Sequence, residues 1–160
     1  MTQVPFVCTG NVCRSAAAEA ILKKMVHERH IPDVTVNSVG TLNLCEAERD
    51  GTMVRIAAGY GYQMTGKSTF RSREVFMNAD LNLVMTYTHK LEVQNILPYE
   101  HWGRIRLFME YCFGKDLPVE DPSYMPESVY LQTFQTLEDG CRIIADRLRN
   151  GLEETPWNLE

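Results

Sequence analysis

The apolar positions of the chain follow two different periods, and each period predicts a different kind of element. Short runs of continuous or alternating apolar residues stand between segments whose apolar positions recur every three to four residues. The short runs are typical of strands, and the longer period is typical of amphipathic helices. The predicted strands are residues 4–7, 34–39, 81–85 and 104–109, and the predicted helices are one that begins at Ser15, followed by 50–60, 88–97 and 128–149.

Strands that alternate with helices predict an α/β fold with a parallel sheet. A length of 160 residues, with no repeat or linker, predicts a single domain over residues 1–160 whose last ten residues form a frayed tail. The expected architecture is a small doubly wound, flavodoxin-like sheet of four parallel strands flanked by helices. Such sheets bind ligands at the carboxyl ends of their strands, so the site is expected after Val7, Val39, Met85 and Met109.

Composition excludes several classes of protein. The net charge is −5 and no basic stripe is present, which argues against nucleic-acid or membrane partners. The first ten residues lack the charged and apolar regions of a signal peptide, so a cytoplasmic location is expected. Five cysteines, an odd number in a reducing compartment, indicate free thiols rather than a disulfide framework.

One motif, residues 8–15, forms the loop after the first predicted strand, where this fold class places its ligand site. Backbone N–H groups of such a loop can point inward and hold an anion at the helix N-terminus. Glycine and asparagine tolerate the positive φ that this curvature requires, and arginine offers a fork that matches phosphate oxygens. A cysteine in this positive field is favoured as a thiolate nucleophile, and a hydroxyl at the helix start can donate to it. The residues are Cys8, Thr9, Gly10, Asn11, Val12, Cys13, Arg14 and Ser15.

CTGNVCRS at residues 8–15 resembles the signature of the low-molecular-weight protein tyrosine phosphatases. SVGT at 38–41, DLNLVM at 80–85 and DPSY at 121–124 resemble further segments of that family in the same order. The resemblance implies hydrolysis of phosphotyrosine through a phosphocysteine intermediate. It also implies a tyrosine-phosphorylated protein as partner, a phosphate or other oxyanion in the site and no cofactor or metal. A monomer or weak dimer is the expected assembly.

The resemblance assigns roles outside the loop. It implies that Asp121 is the general acid and that Tyr124 forms a wall of the phenyl pocket. The neighbouring carboxylate of Glu120 is interpreted as a solvated charge and as a weaker alternative acid. Ser38 is expected to support the loop through Asn11. In much of the family the second loop cysteine can pair with the nucleophile. Here a role of Cys13 in packing and a protective disulfide with Cys8 both stay open.

The chain also departs from the family pattern. Residues 42–45 read LNLC where the family often has an aromatic residue, and Thr86 stands where an aspartate often follows the third strand. These changes affect the expected substrate preference rather than the reaction class. The histidines at 27, 30, 89 and 101 lie far from every motif in sequence and are interpreted as surface or capping residues.

Two other functions remain open from the sequence. One is a thiol-dependent redox enzyme of the arsenate-reductase type, in which Cys45 would relay electrons. The other is a phosphate- or phosphotyrosine-binding module with little turnover, which is favoured if Asp121 cannot reach the loop.

Overall fold

The computed structural model describes residues 1–150, and the tail predicted for residues 151–160 lies outside them. Within residues 1–150, ten helices and strands and one 3₁₀ segment are formed, in an order close to the predicted one. The strands are β1 (Thr2–Cys8), β2 (Val34–Gly40), β3 (Asn82–Val84) and β4 (Ile105–Leu107). The helices are α1 (Arg14–Glu28), α2 (Gly51–Gly59), α3 (Arg73–Asn78), α4 (Tyr87–Ile96), α5 (Phe108–Phe113) and α6 (Glu127–Arg149), and the 3₁₀ segment is Tyr99–Arg104.

The four strands form one parallel sheet in the order β2-β1-β3-β4, which confirms the predicted flavodoxin-like fold. Successive side chains of β1 point to opposite faces, so the sheet has two cores. Phe6 belongs to the core under α1, α5 and α6, whereas Val7 belongs to the core under α3 and α4. Because all strands are parallel, the loops after β1, β2 and β3 meet at one edge of the sheet.

Pro5 lies in β1, a central strand, where proline is usually excluded. Gln3 faces the β3 side of β1, because its carbonyl accepts from the N–H groups of Asp80 and Leu81. Pro5 lies two residues further along β1, so its backbone also faces β3. The pairing of β1 with β3 begins only at Phe6. The missing N–H of Pro5 thus coincides with the end of the β1–β3 pairing, since proline cannot donate the bond that would extend it towards Gln3.

The prediction of a strand over 104–109 was wrong at its end, because β4 stops at Leu107 and α5 begins at Phe108. The apolar residues there pack a helix rather than continue a strand. The ring of Phe108 lies so close to α6 that a Cβ on Gly140 would be 2.3 Å from it. The pattern of alternation was too short to separate the two elements.

No helix within residues 1–150 has the length and hydropathy needed to cross a membrane.

Candidate active site

The loop of residues 8–15, here called the cradle loop, joins the end of β1 to the start of α1. Its carbonyl groups bond to segments outside it. Cys8 O accepts from Thr41 N, Thr9 O from Leu42 N and Val12 O from Asp50 N, at 2.8–2.9 Å. None of the backbone N–H groups of residues 9–15 has an acceptor within residues 1–150. A run of N–H groups without protein partners beside a helix N-terminus is a binding site for an anion.

Asn11 holds the cradle loop in shape. It is fully buried at φ 56°, a conformation that asparagine tolerates. Its Nδ2 donates to Ser15 Oγ (2.9 Å) and Ser38 Oγ (2.7 Å). Its Oδ1 accepts from Arg49 Nη1 (3.0 Å) and Thr69 N (2.8 Å). Both donors and both lone pairs of the amide are therefore used, which fixes its orientation.

Cys8 and Ser15 face each other across the base of the loop, with Sγ and Oγ 2.9 Å apart. Both residues are buried. A thiolate has no proton to donate, so with Cys8 ionised the Ser15 hydroxyl is the donor of this bond. The arrangement can stabilise negative charge on sulfur.

Arg14 connects the cradle loop to the loop after α5. Its Nη1 donates to Val119 O (2.9 Å), and Val119 N in turn donates to Met85 O at the end of β3. Its Nη2 lies 3.9 Å from Asp121 Oδ2. The structure thus brings Asp121 to the site, whereas Glu120 is exposed and no hydrogen bond or ion pair joins it to Arg14 within the described residues.

The carboxyl of Asp121 is half-exposed and its pKa is lowered overall. Burial acts to raise this pKa. Hydrogen bonds from the hydroxyl and the N–H of Ser123, together with the charge of Arg14, outweigh the burial. A dianion bound at Arg14 would offset that positive charge and raise the pKa of Asp121.

Arg49 is a supporting residue that the sequence did not indicate. Besides Asn11 Oδ1, its guanidinium donates to Asn11 O and to Thr65 O. Arg49 lies 38 residues from Asn11, in a loop with no helical or strand period. Only the folded chain reveals the contact.

The end of β2 and the loop after it cover the cradle loop from one side. A Cβ on Gly40 would lie 2.6 Å from Thr9 O, so the close approach of the two backbones requires glycine. A Cβ on Gly10 would lie 2.8 Å from Leu44 Cδ1. Leu44 therefore packs directly against the loop.

His89 also reaches the site. The prediction that the histidines are surface or capping residues is confirmed for its capping part, because His89 closes a capping box with Thr86 at the start of α4. The expectation that His89 lies at the surface is wrong, because its ring is buried, with Nε2 2.8 Å from Thr9 Oγ1. Burial, then the charge of Arg14, lower its pKa to about 4, although Asp121 acts in the opposite direction.

The low pKa of His89 predicts a loss of stability in acid. The unfolded chain takes up a proton near pH 6.5 and the folded chain only near pH 4, so stability decreases as the pH falls between these values. At pH 4.5 the expected loss attributable to His89 is about 2–3 kcal/mol relative to pH 7.5. Urea unfolding of the wild type and of His89→Asn at both pH values measures it. Equal losses in the two proteins would contradict the assignment.

The structure also shows the exposure of three further candidate residues, Tyr124, Cys13 and Cys45. Tyr124 is fully exposed at φ 65°, three residues after Asp121, and its role as a pocket wall stays a prediction. Cys13 is a buried free thiol, and burial, followed by the charge of Asp50, raises its pKa. Cys45 is a free thiol and exposed.

Among the residues that the structure describes, no group of three or more His, Cys, Asp or Glu side chains is placed to hold a metal ion.

The fold and the Cys–Arg loop are those of a small α/β phosphatase. Residues 3–154 match the sequence profile of the family described as low molecular weight phosphotyrosine protein phosphatase. The chain belongs to this family.

Relatives and a solved structure agree with this assignment. The low molecular weight protein-tyrosine-phosphatase Etp of Escherichia coli (strain K12) is 32% identical over 143 residues, which cover 89% of this chain and 91% of Etp. The protein-arginine-phosphatase of Bacillus subtilis (strain 168) is also 32% identical, over 148 residues that cover 90% and 95% of the two chains. The crystal structure of the protein tyrosine phosphatase from Entamoeba histolytica, with Hepes in the active site, superimposes with a TM-score of 0.87 at 28% identity. That match covers 96% of this chain and 100% of the other.

Proposed function

We propose that the protein hydrolyses phosphotyrosine on proteins, and small aryl phosphates, through a phosphocysteine intermediate on Cys8. One observation carries the proposal: the N–H groups of residues 9–15 have no acceptor within the described chain, and this run directly follows a buried cysteine and contains a buried arginine. Such a cradle binds a phosphoryl group, and its cysteine is placed to attack the phosphorus. The anionic Hepes in the active site of the Entamoeba histolytica relative is consistent with a site for an oxyanion.

In the first step the thiolate of Cys8 attacks phosphorus, an S–P bond forms and the bond from phosphorus to the phenolic oxygen breaks. Arg14 and the loop N–H groups stabilise the charge on the equatorial oxygens. Asp121 donates its proton to the departing phenolate, which leaves as a neutral phenol. The separation of 3.9 Å between Asp121 Oδ2 and Arg14 Nη2 supports this role, because it puts the acid beside the group that holds the phosphate.

In the second step the Asp121 carboxylate accepts a proton from water, and the resulting hydroxide attacks the phosphocysteine. The S–P bond breaks, inorganic phosphate forms and Cys8 leaves as a thiolate. The Ser15 hydroxyl, 2.9 Å from Sγ, donates to that thiolate and favours its departure.

The remaining loop residues bind and shape rather than react. Substrate oxygens are bound by the N–H groups of residues 9–15, which include Thr9, Gly10, Asn11, Val12, Cys13 and Ser15. Ser38 supports the loop by accepting from Asn11 Nδ2. Tyr124 is proposed as one wall for the phenyl ring of the substrate.

The two alternative functions, a redox enzyme and a binding module, have weaker support. A redox relay needs accessible thiols, but Cys112 and Cys141 are buried, and burial raises the pKa of both. That leaves Cys45 as the only exposed thiol among the described residues. A binding module without turnover is favoured only if the acid is remote, and Asp121 lies beside Arg14.

The extent of the domain, the location of the protein and its assembly are also proposed. We infer one phosphatase domain over the whole chain, without a cofactor, that acts in the cytoplasm as a monomer or weak dimer. Its partner is a tyrosine-phosphorylated protein.

The test compares one peptide sequence carrying phosphotyrosine, phosphoserine or phosphoarginine, with orthovanadate as inhibitor. We expect kcat/KM on phosphotyrosine to exceed that on phosphoserine by about 100-fold, because a phenolate is a much weaker base than a serine alkoxide and leaves phosphorus more readily. Vanadate should compete with the peptide. A preference for phosphoarginine would move the substrate class to that of the Bacillus subtilis relative. Vanadate binding without turnover, or thiol-dependent arsenate reduction, would support one of the alternatives instead.

A further inference from the structure

His89 joins two parts of the chain that are 80 residues apart. Its Nδ1 lies 3.2 Å from the backbone nitrogen of Thr86, within the capping box of α4. A backbone N–H can only donate, so Nδ1 is the acceptor and carries no proton. The bond to Thr86 thereby fixes which nitrogen of the neutral ring is protonated.

Because Nδ1 accepts, Nε2 carries the proton and donates to Thr9 Oγ1 at 2.8 Å. A ring that is 2% exposed and has a pKa of about 4 keeps this form at neutral pH. The Thr9 hydroxyl therefore accepts from His89 and keeps its own proton free. Thr9 is exposed and directly follows Cys8, so that proton is available at the mouth of the cradle loop.

We propose that His89 is a positioning residue of the phosphatase: by donating to Thr9 Oγ1, it leaves the Thr9 hydroxyl proton to bind an oxyanion held between Cys8 and Arg14. The inference rests on the proposed function and deepens it. The capping box needs only an acceptor at position 89, and the second ring nitrogen adds nothing to the cap. The contact with Thr9 thus gives the imidazole a role that the cap does not explain.

Two substitutions separate the cap from the contact with Thr9. His89→Asn puts an oxygen near the place of Nδ1 and keeps the cap, but its side chain is too short to reach Thr9. His89→Gln puts an amide nitrogen near the place of Nε2 and keeps the donor, but it loses the acceptor for Thr86. The two variants therefore make opposite predictions for stability and for oxyanion binding.

The affinity for orthovanadate, measured by calorimetry at pH 7.5, is the first readout because it requires no turnover. We expect His89→Asn to bind vanadate about tenfold more weakly and to lose about tenfold in kcat/KM, because the Thr9 hydroxyl loses the donor that orients its proton towards the oxyanion. His89→Gln should stay within about threefold of the wild type in both. Its thermal midpoint should fall by about 2–4 °C, whereas that of His89→Asn changes less.

Thr9→Val and the double variant Thr9→Val/His89→Asn complete the test. If His89 acts through Thr9, the double variant binds vanadate as Thr9→Val does. Multiplied losses in the double variant, or normal vanadate affinity in His89→Asn, would overturn the inference. A wild type that binds vanadate but hydrolyses no phosphopeptide would instead contradict the proposed function, while the vanadate affinities still decide the role of His89.

Discussion

Replacing Cys8 by serine is expected to lower kcat on phosphotyrosine peptide by about 10⁴-fold or more. A hydroxyl at this position is a far weaker nucleophile than a thiolate, and neither Arg14 nor Ser15 supplies a base that would activate it. The cradle loop itself should survive, because its shape depends on Asn11 rather than on the sulfur. Steady-state kinetics with orthovanadate titration in parallel measures both properties, and vanadate affinity should persist within about tenfold.

Cys45→Ser is the matched control, since it makes the same atomic change at an exposed thiol. Its kcat and KM should equal those of the wild type. If Cys45→Ser loses activity while Cys8→Ser retains it, the nucleophile assignment is wrong. Rapid acid quench of the wild type during turnover should in addition trap one phosphoryl group on a peptide that contains Cys8.

Replacing Asp121 by asparagine is expected to lower kcat on phosphotyrosine peptide by about 10²–10³-fold with little change in KM. The amide keeps the size of the side chain and loses the proton that the phenolate needs. The loss should be smaller on para-nitrophenyl phosphate, because para-nitrophenolate is a weaker base than tyrosinate and needs less protonation to leave. The decline of wild-type kcat at high pH, where Asp121 is unprotonated, should be absent from the variant.

Glu120→Gln removes the neighbouring carboxylate and serves as the control. Glu120 is exposed and forms no hydrogen bond or ion pair with Arg14 in the described part of the chain, so its loss should change kcat by less than about twofold. If Glu120→Gln carries the large loss and Asp121→Asn does not, the general acid lies one residue earlier than proposed.

The parts of the fold that could be predicted are those in which a long period decides the element. The last helix is an example: an apolar face that includes Tyr130, Phe134 and Leu137 predicted 128–149, and the structure has Glu127–Arg149. The six-residue helix Arg73–Asn78 was not predicted, because it buries only Phe76 and so has no period to detect. Phe108 was assigned to a strand for the same reason, since its helix is also six residues long.

The site residues that could be predicted are likewise those with a local signal in the sequence. The cradle loop is contiguous in sequence, so spacing and residue type were enough to indicate it. Its supports are not contiguous: Arg49 bonds to Asn11 across 38 residues, and His89 lies beside Thr9 across 80. Nothing local distinguishes Arg49 from any loop arginine. His89 carried a weak signal, because Thr86 three residues earlier is a good N-cap, but a cap does not show that the ring also reaches Thr9.

The four hydrogen bonds of the Asn11 amide have a consequence for protein engineering. They tie the loop to the first turn of α1, to β2 and to two segments that contain Arg49 and Thr69. An eight-residue graft of CTGNVCRS onto another strand–helix junction would therefore carry Cys8 and Arg14 without the scaffold that gives the loop its curvature. The smallest unit that keeps the shape of the loop extends at least from β1 to residue 69, about two fifths of the molecule. A designer who wishes to transfer the chemistry must transfer that unit together with Asp121.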